Sequence, residues 1–211
     1  MATNLNRQFG DIDIYLFDQL LRGRLAPGMR VVDAGCGAGR NLVYLLQAGY
    51  DVRASDHDPH AIDSVRALAT ALAPELPADN FRVESVEAMA WPDASAEVVL
   101  SNAVLHFARD DAQFEAMVER MWAVLTPGGL LFARLASTIG IEDQIRPLTG
   151  RRAVLPDGSE RYLVDQAQLM ELTARLRGSL LDPLKTTVVQ DQRSMTTWVL
   201  RKGRAAPTLS R

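Results

Sequence analysis

The stretch VVDAGCGAGRN, residues 31–41, places three glycines in five positions, Gly35, Gly37 and Gly39, directly after a β-branched run. A glycine-rich turn between a strand and a helix ordinarily cradles phosphate at the helix N-terminus. The neighbouring residues argue for other chemistry. A dinucleotide turn needs G-x-G-x-x-G, whereas position 40 is a bulky arginine, and the G-K-[ST] of a nucleoside-triphosphate loop is missing. Asp33, just ahead of the turn, would repel a pyrophosphate and suits an ammonium group. Asp56 closes the next β-branched run, the position from which open α/β folds hold ribose hydroxyls. An amine, a ribose and no phosphate at the loop describe S-adenosylmethionine.

Other residue types add chemistry further along. His106 follows Ser101 and Asn102 closely, and its ordinary near-neutral pKa suits a base that deprotonates an acceptor; the alternative is a surface histidine. Arg134 ends an apolar run, where a charge needs an anionic partner, either structural or an acceptor carboxylate. Arg151, Arg152 and Arg161 follow on a polar segment that could close over such an acceptor. The histidines of DHDPH, His57 and His60, do not call for a metal, because Asp58-Pro59 explains itself as a helix start. Cys36 is the single cysteine, which excludes an internal disulfide and a cysteine-only zinc site, and it reads as a small packing residue inside the turn. Trp122 and Trp198 read as core, and Trp91 either packs on an adenine or covers the edge of the cofactor site.

The elements that must position these groups alternate between short β-branched runs and helical patterns. MRVVDAG, YDVRAS, NFRVES, AEVVLSN and LLFARLA read as five strands, with TPGG a turn before the last. RNLVYLLQAG, closed by Gly49, DPHAIDSVRALATALA, and a segment from Asp110 or Asp111 to about Leu125 read as the helices between them. A helix over 166–177 precedes KTTVVQD and SMTTWVLRK, whose short connection makes them antiparallel. The expected fold is a Rossmann-like, doubly wound α/β sheet, mostly parallel and seven-stranded, with an antiparallel C-terminal hairpin strand. It forms a single domain over 1–202, with a helical cap over 1–26, a turn-rich substrate-loop insertion over 136–165 and a flexible tail over 203–211. The cap helix, DIYLFDQLLRGRL, has an apolar face of Ile14, Leu16, Phe17, Leu20 and Leu21, and should dock near the carboxyl ends of the strands with Tyr15 facing the pocket.

The blocks VVDAGCGAGR, VRASDHDPHAI, AEVVLSNAVLHF and LTPGGLLFARL, in that order, resemble the class I S-adenosylmethionine-dependent methyltransferases. GCGAGRNLVYLLQAGYDVRASD is particularly similar to the tellurite-resistance-type branch. The resemblance covers roughly residues 28–135. It implies that Asp33 orients the methionyl amine, directly or through water, that Gly35, Cys36, Gly37 and Gly39 let the backbone approach the amino-acid moiety, and that Arg40 reaches its carboxylate. Asp56 would hold the ribose, with His57 beside the adenine. Many relatives carry an aspartate for the adenine amine where this chain has Ser85; either Ser85 substitutes for it or Glu87 reaches across, with the Val86 N–H as a further donor. Ser101 and Asn102 would border the methionine and the transferred methyl. Tyr15, Arg134, Arg151, Arg152 and Arg161 are the candidate acceptor contacts.

The 211 residues suffice for one α/β core, and 47% hydrophobic with 23% charged residues excludes a disordered chain. The formal charge of −3 offers nothing global to a polyanion, so no nucleic-acid partner is expected. No stretch is long and apolar enough for a membrane span, and MATNLNRQFGDIDIYLFDQLL lacks the pattern of a signal peptide, so a cytoplasmic monomer or homodimer is expected. The expected reaction is in-line methyl transfer to an oxygen, nitrogen or sulfur of a small molecule, with S-adenosylhomocysteine as product. A protein or nucleic-acid methyltransferase, or a non-catalytic S-adenosylmethionine-binding module, stands as the alternative.

Overall fold

Alternation along each buried strand builds the fold. Val31, Val98 and Phe132 face one apolar layer, and their neighbours Val32, Val99 and Leu131 face the other. Successive side chains of a strand point to opposite faces, so a sheet with such strands needs helices on both. The computed structural model describes residues 4–204. The central strands are β1 (Arg30–Ala34), β2 (Asp51–Asp56), β3 (Phe81–Val83), β4 (Ala96–Asn102) and β5 (Leu125–Ala136). They run parallel in the order β5-β4-β1-β2-β3. Helices α1 (Leu5–Phe9), α2 (Ile14–Leu21), α3 (Val43–Gln47) and α4 (Pro59–Leu72) precede β3, and α5 (Asp111–Val124) links β4 to β5. Leu16, Leu45 and Ile62 fill one layer, and Phe114, Met121 and Leu169 the other.

The TPGG turn is absorbed into β5. Ala96 pairs with Leu125 and Val98 with Leu130, so Thr126–Gly129 bulge out of register within one strand. The 136–165 segment is more regular than its composition suggests: β6 (Arg146–Pro147), β7 (Arg152–Val154) and β8 (Glu160–Tyr162) form a small antiparallel sheet. After α6 (Gln166–Arg175), the long strand β11 (Arg193–Lys202) pairs antiparallel with β5. Its other edge receives β9 (Gly178–Leu180) and then β10 (Lys185–Val189), an edge strand interrupted at Asp182-Pro183. The hairpin is therefore as expected, while β9 was not foreseen. The expected tail falls, from residue 205 onward, outside the described residues.

Helix starts follow their capping residues. Asp58 accepts from the His60 N–H with Pro59 at the first helical position, Asp110 caps α5 through Gln113, and Asp165 caps α6 through Gln168. The cap helix is shorter on its apolar side than expected: Leu16 is buried, but Ile14 and Leu21 are exposed. Polar contacts complete its docking, because the Asp182 carboxylate accepts from Gln19, Arg22 and Arg24 at 3.1, 3.2 and 2.6 Å.

Candidate functional site

A cavity of about 600 Å³ opens beyond the carboxyl ends of β1, β2 and β4. This is the switch point where the strand order reverses and where doubly wound folds hold ligands. Gly35 turns the chain at φ +81°, and a Cβ there would lie 2.5 Å from Val104 Cγ2, so only glycine fits. The Gly37 N–H donates to Asp56 Oδ2 at 2.9 Å, and the Asp58 N–H donates to Oδ1 at 3.0 Å. The carboxylate is thus held in place while keeping lone pairs for further donors. His57 lines the cavity with its Nδ1 3.2 Å from Asp56 Oδ1. Ser85, Val86 and Glu87 form the wall after β3, with Glu87 Oε1 accepting from Gln113 Nε2 at 2.7 Å.

Asp33 lies behind the turn, 1% exposed, with Oδ2 unpartnered. Burial and the nearby Asp56 carboxylate push its pKa up to about 7. Two carboxylates facing one turn with an unmet acceptor fit a cationic ligand group. Asn102, which lines the cavity, has neither side-chain polar atom partnered, and the buried Ser101 Oγ beside it has no partner. These unmet atoms, the glycine turn and the ribose-type aspartate fit S-adenosylmethionine.

A second cavity, of about 360 Å³, shares Arg40 and Ala103 with the first. Ala103 adopts φ +62°, a left-handed conformation that bends the chain out of β4 between the two spaces. Arg134 and His106 line it from the sheet side, Asp157, Ser159 and Arg161 from the β7–β8 connection and β8, and Arg193 from the hairpin. Arg134 has a structural partner: its Nη1 donates to Asp13 Oδ2 at 3.2 Å, and Arg40 Nη2 reaches the same oxygen at 3.5 Å.

Several expectations need correction. His106 is not poised as a base. Its Nδ1 accepts from the Ala136 N–H at 3.2 Å, and burial, with Arg161 and Arg134 nearby, lowers its pKa to about 4. The ring is neutral with its proton on Nε2, and so serves as a donor. Tyr15 does not line the first cavity; its hydroxyl bonds Thr187 and its ring lies under Arg134. Gly39 backs onto α4, where a Cβ would meet Val65 at 3.0 Å, so it serves packing of the turn. Arg151 pairs with Asp165, and Arg152 bonds the Ala108 carbonyl and Glu160; neither lines a cavity described here. Cys36 lines the first cavity as a buried thiol whose pKa burial pushes up, an unreactive state. Trp91 is buried, donates to Ser55 Oγ at 3.0 Å and carries the Arg82 guanidinium on its ring, so it is core.

Sequence reasoning missed Phe107, Gln113 and Met117 in the first cavity and Asp157, Ser159 and Arg193 in the second. The four-residue spacing of Gln113 and Met117 on α5 was a legible signal that they share a face. Asp13, which caps α2 through the Tyr15 N–H, was not foreseen as the partner of Arg134.

Residues 32–133 match the family model described as "Methyltransferase domain". Over 118 residues the chain is 36% identical to the ubiquinone biosynthesis O-methyltransferase of Methylocella silvestris, covering 54% of this chain but only 44% of that relative's length. Similarity to the malonyl-[acyl-carrier protein] O-methyltransferase of Serratia marcescens extends further, with 25% identity over 90% of this chain and 72% of the relative. In structure, the chain is similar to Burkholderia thailandensis 1,6-didemethyltoxoflavin-N1-methyltransferase, solved with 1,6-didemethyltoxoflavin and S-adenosylhomocysteine. The TM-score is 0.68 at 20% identity, covering 95% of this chain and 81% of the other, a likeness of fold.

Proposed function

We propose that this chain, whose residues 32–133 match a methyltransferase domain, is a class I S-adenosylmethionine-dependent methyltransferase that transfers the cofactor's methyl group to a small-molecule acceptor. The observation that carries this reading is the pair of adjoining cavities, one fitted to the cofactor and the other sharing Arg40 and Ala103 with it. A cofactor-binding module without catalysis would have no need of the second space. Its volume of about 360 Å³ suits a small molecule. The similarity to the ubiquinone biosynthesis O-methyltransferase supports a small-molecule acceptor, and that to the malonyl-[acyl-carrier protein] O-methyltransferase supports methyl transfer.

Bound S-adenosylmethionine supplies a methyl already activated by its sulfonium. The chain's own task is to bind, orient and exclude water. In this reading Asp33 faces the methionyl ammonium, which satisfies Oδ2 and relieves its repulsion with Asp56. Asp56 accepts from the ribose while the Gly37 N–H fixes its orientation. The Val86 N–H and the Ser85 and Glu87 side chains receive the adenine edge, and Ser101 and Asn102 border the methionine. His106 removes no proton; it donates from Nε2 into the acceptor space.

Calorimetric titration tests the cofactor half. The chain should bind S-adenosylhomocysteine, and Asp56→Ala should weaken that binding by about 1.5–3 kcal/mol, the range for a lost charge-assisted hydrogen bond. Unchanged affinity in the variant removes the ribose assignment, and tighter binding of NAD than of S-adenosylhomocysteine removes the whole reading.

A further inference from the structure

We propose that the second cavity recognises an oxyanion, a carboxylate or a phosphate, on the small acceptor, with Arg161 and Arg193 as its charge partners. The inference rests on the methyl-transfer reading only in calling the ligand an acceptor; the anion site stands on its own geometry. Four guanidinium groups line this space, Arg40, Arg134, Arg161 and Arg193. Arg40 and Arg134 converge on the single carboxylate of Asp13. The one carboxylate inside the cavity, Asp157, is taken up locally, its Oδ1 accepting from the Ser159 N–H at 2.9 Å and the hydroxyl at 2.5 Å. Two carboxylates face four cations, which leaves two positive charges over.

The surplus is spread over the space, one charge beyond Asp13 at Arg40 and Arg134 and one beyond Asp157 at Arg161 and Arg193. Bonds from Ser159, and then the charges of Arg161 and Arg193, draw the Asp157 carboxyl below its usual range. Neither Arg161 nor Arg193 forms an ion pair within 4 Å among the described residues. Arg161 spends one N–H on the Glu160 carbonyl and lies 4.8 Å from the Phe107 ring centroid. Arg134 Nε is buried with no partner. His106, neutral and with Nδ1 taken by the backbone, offers a donor to the same space. Apart from Asp157 Oδ2, the polar groups left over are donors, and guanidinium forks match planar carboxylate and tetrahedral phosphate alike. Leu155, Val189 and Met195 line the remainder, which suits an apolar body behind the anion. A neutral or cationic ligand would leave the surplus positive charge of this space unmatched.

The test uses small probes on the full chain, with and without saturating S-adenosylhomocysteine. Acetate, inorganic phosphate and acetamide are titrated while side-chain ¹⁵N resonances of arginine and His106 are followed. Acetate or phosphate should shift Arg161, Arg193 and His106 saturably in the millimolar range, and acetamide should not. The stronger of the two anions identifies the oxyanion. The double variant R161Q/R193Q should raise the dissociation constant at least about tenfold, whereas R151Q, outside the cavity, should not change it. If R161Q unfolds the β8 region, R193Q alone, on the exposed hairpin, should still weaken binding severalfold. An absence of saturation, an equal response to acetamide, or full binding by the double variant overturns the anion site. Failure of S-adenosylhomocysteine to bind, with the anion response intact, overturns the methyl-transfer reading instead.

Discussion

At the scale of single residues, two buried titratable groups carry opposite pH signatures. Asp33 is raised from 3.8 to about 7 in the fold, so between those values the native state holds a proton that the unfolded chain has released. Stability without cofactor should fall as pH rises through that window and stay reduced above it. Asp33→Asn should therefore stabilise the ligand-free protein at pH 8 by roughly 1–3 kcal/mol, read as a higher melting temperature, and change little near pH 3.5. The same variant should lose S-adenosylhomocysteine affinity, since the amide cannot match a carboxylate facing an ammonium. His106 behaves in reverse. Its pKa falls from 6.5 to about 4, so the unfolded state binds the extra proton and stability drops as pH falls from 6.5 to 4. His106→Gln should flatten that acid limb, measured as melting temperature against pH relative to the parent. A variant whose acid limb is unchanged would show that the ring is not buried neutral.

At the scale of elements, α2 is held by packing and by charge together. Leu16 is fully buried between α2 and the sheet, and Leu16→Ala should cost about 2–5 kcal/mol by chemical denaturation. Asp182, in the break between β9 and β10, ties that helix to the C-terminal edge through Arg24, Arg22 and Gln19. Hydrogen bonding from Arg24, the largest influence, helps hold its carboxyl below the usual range. The stabilisation it contributes is present above the ordinary carboxylate pKa and lost as pH falls through the lowered one. Asp182→Ala should destabilise by about 1–3 kcal/mol at pH 7, because Arg24 loses its anionic partner while keeping Gln19 Oε1 and the Leu181 carbonyl, and by less in acid. Deletion of residues 1–20, which removes Leu16 and the Gln19–Asp182 contact, should on this geometry cost the fold itself.

At the scale of the whole molecule, the cofactor and the fold should report on each other. A ligand present at about a hundred times its dissociation constant stabilises the native state by about 2.7 kcal/mol. For a chain of this size that is a rise of roughly 5–10 °C in melting temperature. S-adenosylhomocysteine should produce that rise and Asp56→Ala should abolish most of it in a thermal scan. An unshifted transition at saturating ligand would count against the cofactor site as a whole.

The sequence by itself determined the layered α/β order, because β-branched runs of period two and capped helical stretches are local signals. Asp58-Pro59, Asp110 and the hairpin over 185–202 were all legible on that basis. The glycine turn was legible for the same reason: Asp33, Gly35, Gly37 and Asp56 sit at fixed places relative to two strand ends, and the proposed cofactor roles rest on that placement. What lies across the crevice was not. Whether Arg134 meets Asp13 or a ligand depends on where α2 docks, 121 residues away along the chain. His106 looked like a base until the backbone N–H of Ala136, thirty residues on, took its Nδ1. Arg161 enters the cavity and Arg152 does not because the antiparallel pairing of β7 and β8 turns them to different sides, while Arg193 is brought there by β11 and Arg151 is taken by Asp165. Partner choice for a charged side chain is a long-range contact, and only the tertiary structure decides it.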